Sequence, residues 1–114
     1  LTVANSIIYG SNTNEFEMEK KPNSVYNYLF DHCIIRTELN ISSDAGFVSC
    51  KKNVNPSFID QSLANYSISS TSPAIDAGSE VYLPFVGIDI DENPRSSPPD
   101  IGAFEYTPSG NKNR

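Results

Sequence analysis

Acidic residues recur at close spacing near the C-terminal end of the chain. Asp89, Asp91 and Asn93 form an Asp-x-Asp-x-Asn motif, which opens many calcium-binding loops. Such a loop then requires Gly and later Glu, where this chain has Pro94 and Asp100. The spacing excludes an EF-hand and leaves a looser calcium site as the alternative to acids that shape turns. We therefore predict no cofactor and no metal ligand.

Other charged residues are candidates for catalytic groups. Asp31, Asp44 and Asp60 could supply carboxylates, and Arg36 and Lys51 could supply positive charge. Glycosidases need two carboxylates at a defined separation, and no spacing here singles out such a pair. We therefore assign no catalytic residue.

The ring-bearing residues give equally open interpretations. His32 is the sole histidine, so the sequence predicts neither a histidine metal cluster nor a catalytic triad. We expect it to make a polar contact at a turn. Tyr26 and Tyr28 alternate along the chain and could stack on sugar rings, but packing in the core is the simpler alternative.

Cys33 and Cys50 are the two cysteines, and no Cys-x-x-Cys motif exists. If paired, they would close a loop that stabilises the fold by roughly 3 kcal/mol in the chain-entropy model. If not, they are two buried thiols. The spacing does not decide between these alternatives.

Charge and composition limit the partners. Eight Lys and Arg against 14 Asp and Glu give a net charge of -6, which argues against nucleic acid or an anionic membrane surface as a partner. No apolar run approaches the ~20 residues of a membrane span. Because the chain begins at Leu1 and only 38% of its residues are hydrophobic, we expect it to be an excerpt of a longer protein.

The apolar segments are short and typical of strands, and two of them resemble each other. Asn-Ser-Ile-Ile-Tyr at 5–9 and His-Cys-Ile-Ile-Arg at 32–36 share their pattern 27 residues apart (5 to 32), with a weaker copy at 65–69. Such self-similarity is typical of a solenoid in which isoleucines stack on isoleucines, although two strands of a β-sandwich could show it too. The polar stretch 11–23 is expected to be a solvated excursion.

The second half of the chain carries several short motifs in a fixed order. They are Asn-Pro-Ser-Phe-Ile-Asp at 55–60, Ser-Pro-Ala-Ile-Asp-Ala-Gly at 72–78, Asp-Ile-Asp at 89–91, Asn-Pro-Arg at 93–95 and Asp-Ile-Gly-Ala-Phe-Glu-Tyr at 100–106. This succession resembles the C-terminal end of secreted right-handed parallel β-helix proteins with a pectate-lyase-like fold from Bacteroides-type bacteria. The resemblance covers Val3 to Tyr106. One departure is Glu92-Asn93, where the family usually has Gly.

The resemblance implies an all-β chain that forms the last coils of a right-handed parallel β-helix. We expect final coils over residues 1–71, a C-terminal cap over 72–106 and a disordered tail over 107–114. Within the cap, Arg95 could bind Asp76 or Asp100 through its planar guanidinium and so act as a structural latch. Such a cap would cover the exposed end of the solenoid.

The resulting functional hypothesis is structural. It assigns the chain to the non-catalytic end of a secreted or bacterial cell-surface protein associated with polysaccharide, with upstream coils of the same protein as partner. Two alternatives stay open: part of a polysaccharide lyase or glycosidase, and a small carbohydrate-binding β module.

Overall fold

A computed structural model describes residues 1–108 of the chain. Short strands are its only extended elements, and turns connect them. The strands are β1 (Thr2–Ala4), β2 (Ile7–Ile8), β3 (Leu29–Asp31), β4 (Ile34–Ile35), β5 (Phe47–Val48), β6 (Lys51–Lys52), β7 (Phe58–Asp60) and β8 (Asn65–Ile68). Two 3-10 helices, Gln61–Leu63 and Glu80–Tyr82, complete the regular structure in this part of the chain.

These strands form three separate sheets. Two are parallel and three-stranded, in the orders β1-β3-β5 and β2-β4-β6, and the third is an antiparallel pair of β7 and β8. The similarity of 5–9 to 32–36 corresponds to real pairing, because Ile7 lies beside Ile34 and Ile8 beside Ile35. In chain order the parallel strands form three units: β1 with β2, β3 with β4, and β5 with β6. The second unit follows the first by 27 residues, whereas the third follows the second by only 17, since Ile34 pairs with Lys51.

The prediction of a right-handed parallel β-helix is wrong for this chain. The sheets do not merge into a closed or continuous solenoid sheet. The segment 65–69, expected to be a third copy, instead pairs antiparallel with β7. The physical reason lies in β6, where Lys51 and Lys52 occupy the positions of the isoleucine pair. Charged lysines on an edge strand oppose the addition of a further strand.

The chain turns in the same way between the strands of each parallel unit. Asn5, His32 and Ser49 have φ of 48°, 55° and 52°, each in the left-handed region. Each of these residues follows a strand of the first sheet and is followed, after one residue, by a strand of the second. After this turn, successive side chains of β2 and β4 point to opposite sides of the strand. Ile7 and Ile34 therefore belong to one cluster of core residues, and Ile8 and Ile35 to another.

The core has two clusters, and each contains one isoleucine of β4. Ile34 packs with Ile68, Ala74 and Ile101 in the first cluster. Ile35 packs in a second cluster with Phe30 and Cys33, next to partly buried aromatic rings. One of these rings is Phe16, which lies 5.0 Å from the Phe30 ring, centroid to centroid. The stretch 11–23 is largely exposed, as its polarity predicts, and Phe16 anchors it to the core.

Residues 72–106, here called the C-terminal segment, contain no strand. One 3-10 helix and an isolated bridge between Ile88 and Pro94 are its regular features. Hydrogen bonds fix its path: the Gly102 amide donates to the Asn5 carbonyl outside the segment at 2.8 Å, and the Ile101 amide donates to the Ala74 carbonyl within it at 2.9 Å. The division into 1–71 and 72–106 stays a prediction. Most of the predicted tail, residues 109–114, lies outside the described part of the chain.

Candidate functional site

Arg95 lies at the centre of the C-terminal segment, with only 10% of its side chain exposed. Its Nη1 lies 3.3 Å from both the Asp100 carbonyl oxygen and Oε1 of Glu105, and its Nη2 donates to the Gly102 carbonyl at 3.0 Å. Among the described residues the acid that pairs with Arg95 is thus Glu105, and the guanidinium reaches Asp100 through its main chain. This geometry differs from the expected side-chain bridge to Asp76 or Asp100.

Asp76 and Asp100 are nevertheless brought together. Oδ1 of Asp100 accepts the backbone N–H of Asp76 at 2.7 Å, and Oδ2 accepts the N–H of Tyr106 at 2.6 Å. Asp100 is 2% exposed, and this burial raises the pKa of its carboxyl group above the usual value, against the opposing effect of the two N–H bonds. The carboxylate therefore connects two turns that lie 24 residues apart.

Glu105 is the second buried acid of this region. Its Oε1 accepts the Asp100 N–H at 2.7 Å, and its Oε2 accepts the backbone N–H of Ser96 at 3.2 Å and the Ser96 hydroxyl at 3.1 Å. The Ser96 hydroxyl also lies 3.4 Å from Oδ1 of Asp76. Glu105 thus joins the Arg95 guanidinium to Ser96 and to the main chain of Asp100.

Asp89 is the third buried acid, and it explains the Asp-x-Asp-x-Asn motif. Its Oδ1 accepts the N–H groups of Asp91 (2.9 Å) and Asn93 (2.8 Å), and its Oδ2 accepts the N–H of Glu105 (2.8 Å). Burial acts to raise the pKa of Asp89, but these bonds outweigh burial and hold the pKa below its usual value. The motif shapes a turn and attaches it to the chain at Glu105.

The site has the chemistry of a structural network. Within residues 1–108, no three His, Cys, Asp or Glu side chains come together in a way that could hold a metal ion. Each of the three buried carboxylates accepts backbone N–H groups, so it replaces hydrogen bonds that regular secondary structure would otherwise supply. We call Asp89, Arg95, Asp100 and Glu105 the carboxylate network.

The acids considered for catalysis lie in separate local structures. Asp31 accepts from the Tyr82 hydroxyl at 2.8 Å and lies 2.6 Å from Nδ1 of His32. Asp44 accepts from the Tyr28 hydroxyl and from the Gly46 N–H. Asp60 caps the 3-10 helix Gln61–Leu63 by accepting from the Ser62 N–H at 3.1 Å. Each carboxylate thus has a structural contact of its own.

The two cations considered beside them are also engaged. Arg36 donates to the Gly10 carbonyl at 2.6 Å and lies 5.1 Å above the Tyr9 ring. Lys51 donates to the Pro73 carbonyl at 3.1 Å, which links β6 to the start of the C-terminal segment. These contacts hold the fold together and do not form an acid–base arrangement.

A cleft of about 600 Å³ lies between the strands and the C-terminal segment. Its walls are largely apolar, and five aromatic side chains line it: Tyr9, Phe58, Tyr66, Tyr82 and Phe104. Tyr66 is 47% exposed and meets the Phe58 ring edge-on at 5.3 Å. Sequence reasoning missed this cleft because its walls come from segments far apart in the chain.

The tyrosines that sequence reasoning considered for sugar stacking lie elsewhere. Tyr28 packs against Phe30 and Phe47 and bonds Asp44, so it serves the second core cluster. Tyr26 is 39% exposed, and its hydroxyl accepts from the Lys21 N–H. Neither residue lines the cleft.

Comparison with known proteins adds no further assignment. No protein-family model, curated protein or solved structure matches this chain. Among the described residues, no helix is long and apolar enough to cross a membrane.

Proposed function

We propose that this chain is a non-catalytic structural module of a secreted or cell-surface protein associated with polysaccharide. Its C-terminal segment closes over the apolar side of the short parallel strands. The observation that supports this proposal is the carboxylate network, whose three buried acids accept backbone N–H groups and whose guanidinium, although it lines the cleft, donates to two backbone carbonyls and to Glu105.

A clamp at Asn5 supports the same proposal. The Asn5 side-chain amide donates to the Ser79 carbonyl at 3.0 Å, and its oxygen accepts the Ser79 N–H at 2.7 Å. The Gly78 N–H donates to the Pro99 carbonyl at 2.8 Å beside it. The C-terminal segment is therefore attached to the first parallel unit, 74 residues away.

The two edges of the second sheet differ in chemistry, which suggests the direction of assembly. The β6 edge carries Lys51 and Lys52, whereas the β2 edge carries Ile7 and Ile8. An apolar edge strand favours addition of a further strand and a lysine edge opposes it. Further strands of the same protein beside β1 and β2 are thus the expected macromolecular partner, with polysaccharide as the associated ligand.

The absence of catalysis is tested by incubating the purified chain with pectin, alginate and neutral glycans. We expect neither unsaturated uronic products, followed by ultraviolet absorbance, nor new reducing ends. Product formation that disappears in Asp31→Asn, Asp44→Asn or Asp60→Asn would overturn the proposal in favour of a lyase or glycosidase.

A carbohydrate-binding module is the second candidate, and the aromatic lining of the cleft favours it. Aromatic rings beside hydroxyl groups offer apolar faces together with hydrogen-bond partners, which suits small polar ligands. A glycan array with the wild-type chain, Tyr66→Ala and Tyr26→Ala distinguishes the candidates. Binding that Tyr66→Ala abolishes and Tyr26→Ala retains would assign binding to the cleft; no binding, or equal loss in both variants, would reject this candidate.

A further inference from the structure

Cys33 and Cys50 occupy the same position in neighbouring units of the fold. Asp31 pairs with Val48 on one side of them, and Ile34 pairs with Lys51 on the other, both in parallel register. The offset is 17 residues in both pairs, so the register is unchanged across the turn and Cys33 lies opposite Cys50. Paired strands lie about 4.8 Å apart, within the roughly 4.4–6.8 Å that a disulfide requires between its Cα atoms.

The two side chains also have the same orientation. The Cys33 thiol donates to the Val3 carbonyl at 3.4 Å, and the Cys50 thiol donates to the Phe30 carbonyl at 3.2 Å. Val3 and Phe30 are themselves register partners. Each thiol is therefore placed identically relative to the preceding strand.

The thiols are near enough to affect each other. Burial is the main cause that raises the pKa of Cys33 to about 11, and the neighbouring Cys50 raises it further. Cys33 is fully buried, whereas Cys50 is partly exposed. Both are free thiols in this structure.

We propose that Cys33 and Cys50 are an oxidation site that closes into an internal disulfide joining the second and third parallel units. This inference goes beyond the proposed function and does not depend on it. The bond would connect the turn before β4 to the turn before β6. Its formation exchanges two weak S–H···O contacts for one covalent bond.

The oxidant is a low-molecular-weight disulfide such as oxidised glutathione. The Cys50 thiolate attacks one of its sulfurs, which forms a mixed disulfide and releases one glutathione thiolate. Cys33 then loses its proton to solvent and attacks the Cys50 sulfur, which expels the second glutathione thiolate. Two protein thiols are oxidised and one glutathione disulfide is reduced to two glutathione molecules.

The test incubates the full chain, at a concentration low enough to suppress intermolecular exchange, with oxidised glutathione. Acid quenching, alkylation in denaturant and mass spectrometry then count the thiols. We expect a chain lighter by two hydrogens, without alkylation, and a linked peptide pair containing Cys33 and Cys50. Conversion of the mixed disulfide should accelerate as pH rises, because Cys33 must lose its proton first.

The oxidised chain should also unfold less readily, with the ratio of folded to unfolded chains raised roughly a hundredfold for a loop of this length. Dithiothreitol should reverse the change. A chain that stops at the mixed disulfide on Cys50, keeps two alkylatable thiols or forms only intermolecular dimers would overturn the proposal, and so would an internal bond that leaves stability unchanged or lowered.

Cys33→Ser and Cys50→Ser are the matched controls. The first parallel unit carries Ser6 at the equivalent position, where its hydroxyl donates to the Ala4 carbonyl at 2.7 Å, so the turn accepts serine. Cys33→Ser should remain a mixed disulfide at Cys50, and Cys50→Ser should keep its buried thiol unreacted. Loss of two hydrogens in either variant would contradict the assignment.

Discussion

Single carboxylates determine the course of the C-terminal segment. Asp89, Asp100 and Glu105 are each at least 95% buried, and every one accepts two or more backbone N–H groups. A buried carboxylate is costly unless hydrogen bonds compensate it. These acids are therefore tolerated because a segment without strands has N–H groups that need acceptors.

Replacement of Arg95 by Ala should strongly destabilise the chain. It leaves Glu105, whose side chain is 6% exposed, without its cation, and the Gly102 carbonyl without a donor. Loss of one partner from a buried ion pair costs about 3–5 kcal/mol. Chemical denaturation should show this loss, and Arg95→Lys should recover only part of it because an ammonium group cannot reproduce the planar contacts.

Lys52→Ala is the control for Arg95→Ala. Lys52 is exposed, and removal of an exposed charge changes the free energy of unfolding by at most about 1 kcal/mol. Equal denaturation midpoints for Arg95→Ala and Lys52→Ala would show that Arg95 does not hold the carboxylate network together.

Asp89 and Asp100 should give opposite pH dependence of stability. Because the pKa of folded Asp89 lies below 3.8, its ionisation contributes stability above that value, and the contribution is lost as pH falls through the folded pKa. Because the pKa of folded Asp100 lies above 3.8, its contribution to stability falls as pH rises from 3.8 through the folded pKa. Unfolding free energies from pH ~3 to ~7 measure both effects.

Asn variants separate these two contributions. Asp89→Asn should lower the free energy of unfolding more at neutral than at acid pH, because ionised Asp89 stabilises the folded chain more than protonated Asp89 does. Asp100→Asn should show the reverse trend, whatever its cost at any one pH. The assigned directions would be contradicted if both variants lost stability with the same dependence on pH.

Part of this network carries a sequence signal. Arg95 has a planar guanidinium and stands between two acidic turns, which predicts a side-chain bridge to Asp76 or Asp100, whereas in the structure the guanidinium reaches Asp100 through its backbone carbonyl. Glu105 belonged to the same motif but carried no spacing signal that distinguished it from a surface acid. For Asp89 the sequence leaves two alternatives open, a calcium ligand and an acid that shapes a turn, because the two spacings are alike, and the structure shows the turn.

The short strands depend on their neighbours. β2, β4 and β6 each have two residues, so their stability comes from stacking rather than from strand length. The paired isoleucines predicted the contact of β2 with β4. They could not predict β6, because Lys51 and Lys52 do not resemble the isoleucines that they pair with.

Ile34→Ala should show how much this stacking contributes. Ile34 is fully buried between Ile7 on β2 and the chain of β6, within the first core cluster. A buried Ile→Ala replacement typically costs about 2–5 kcal/mol, from lost apolar burial and from the cavity left behind. Thermal or chemical denaturation measures the loss.

Ile90→Ala is the matched control, because Ile90 is 66% exposed. Its replacement should change the free energy of unfolding by no more than about 0.5 kcal/mol. A comparable cost at Ile34 and Ile90 would mean that the first core cluster is not packed as described.

At the scale of the whole molecule, the first and last parts of the described chain meet. Hydrogen bonds join Asn5 to Ser79 and Gly102, and Tyr82 to Asp31, across separations that local sequence patterns cannot show. The prediction of a solenoid is wrong at this scale. Periodicity describes how like units stack, whereas here an irregular segment held by side chains covers them.

Asn5→Gly tests whether this closure is a clamp. Asn5 has a positive φ of 48°, which glycine adopts without strain, so the replacement keeps the turn and removes only the side chain. Two hydrogen bonds to Ser79 are lost, one of which leaves the Ser79 N–H without its acceptor. We expect a loss of about 1–3 kcal/mol and faster hydrogen exchange at the Ser79 amide.

Asn23→Gly provides the comparison, because Asn23 also has a positive φ, of 63°, but is exposed and lies outside the clamp. The backbone effect of glycine is thus matched, and any difference between the variants belongs to the Asn5 side chain. Exchange at Ser79 should be unchanged in Asn23→Gly and accelerated in Asn5→Gly, with the Gly78 amide affected less because it bonds Pro99. If both variants left Ser79 equally protected, the Asn5 side chain would serve only to form its turn, and the C-terminal segment would be held to the strands by its other contacts, those of Gly102 with the Asn5 carbonyl and of Tyr82 with Asp31.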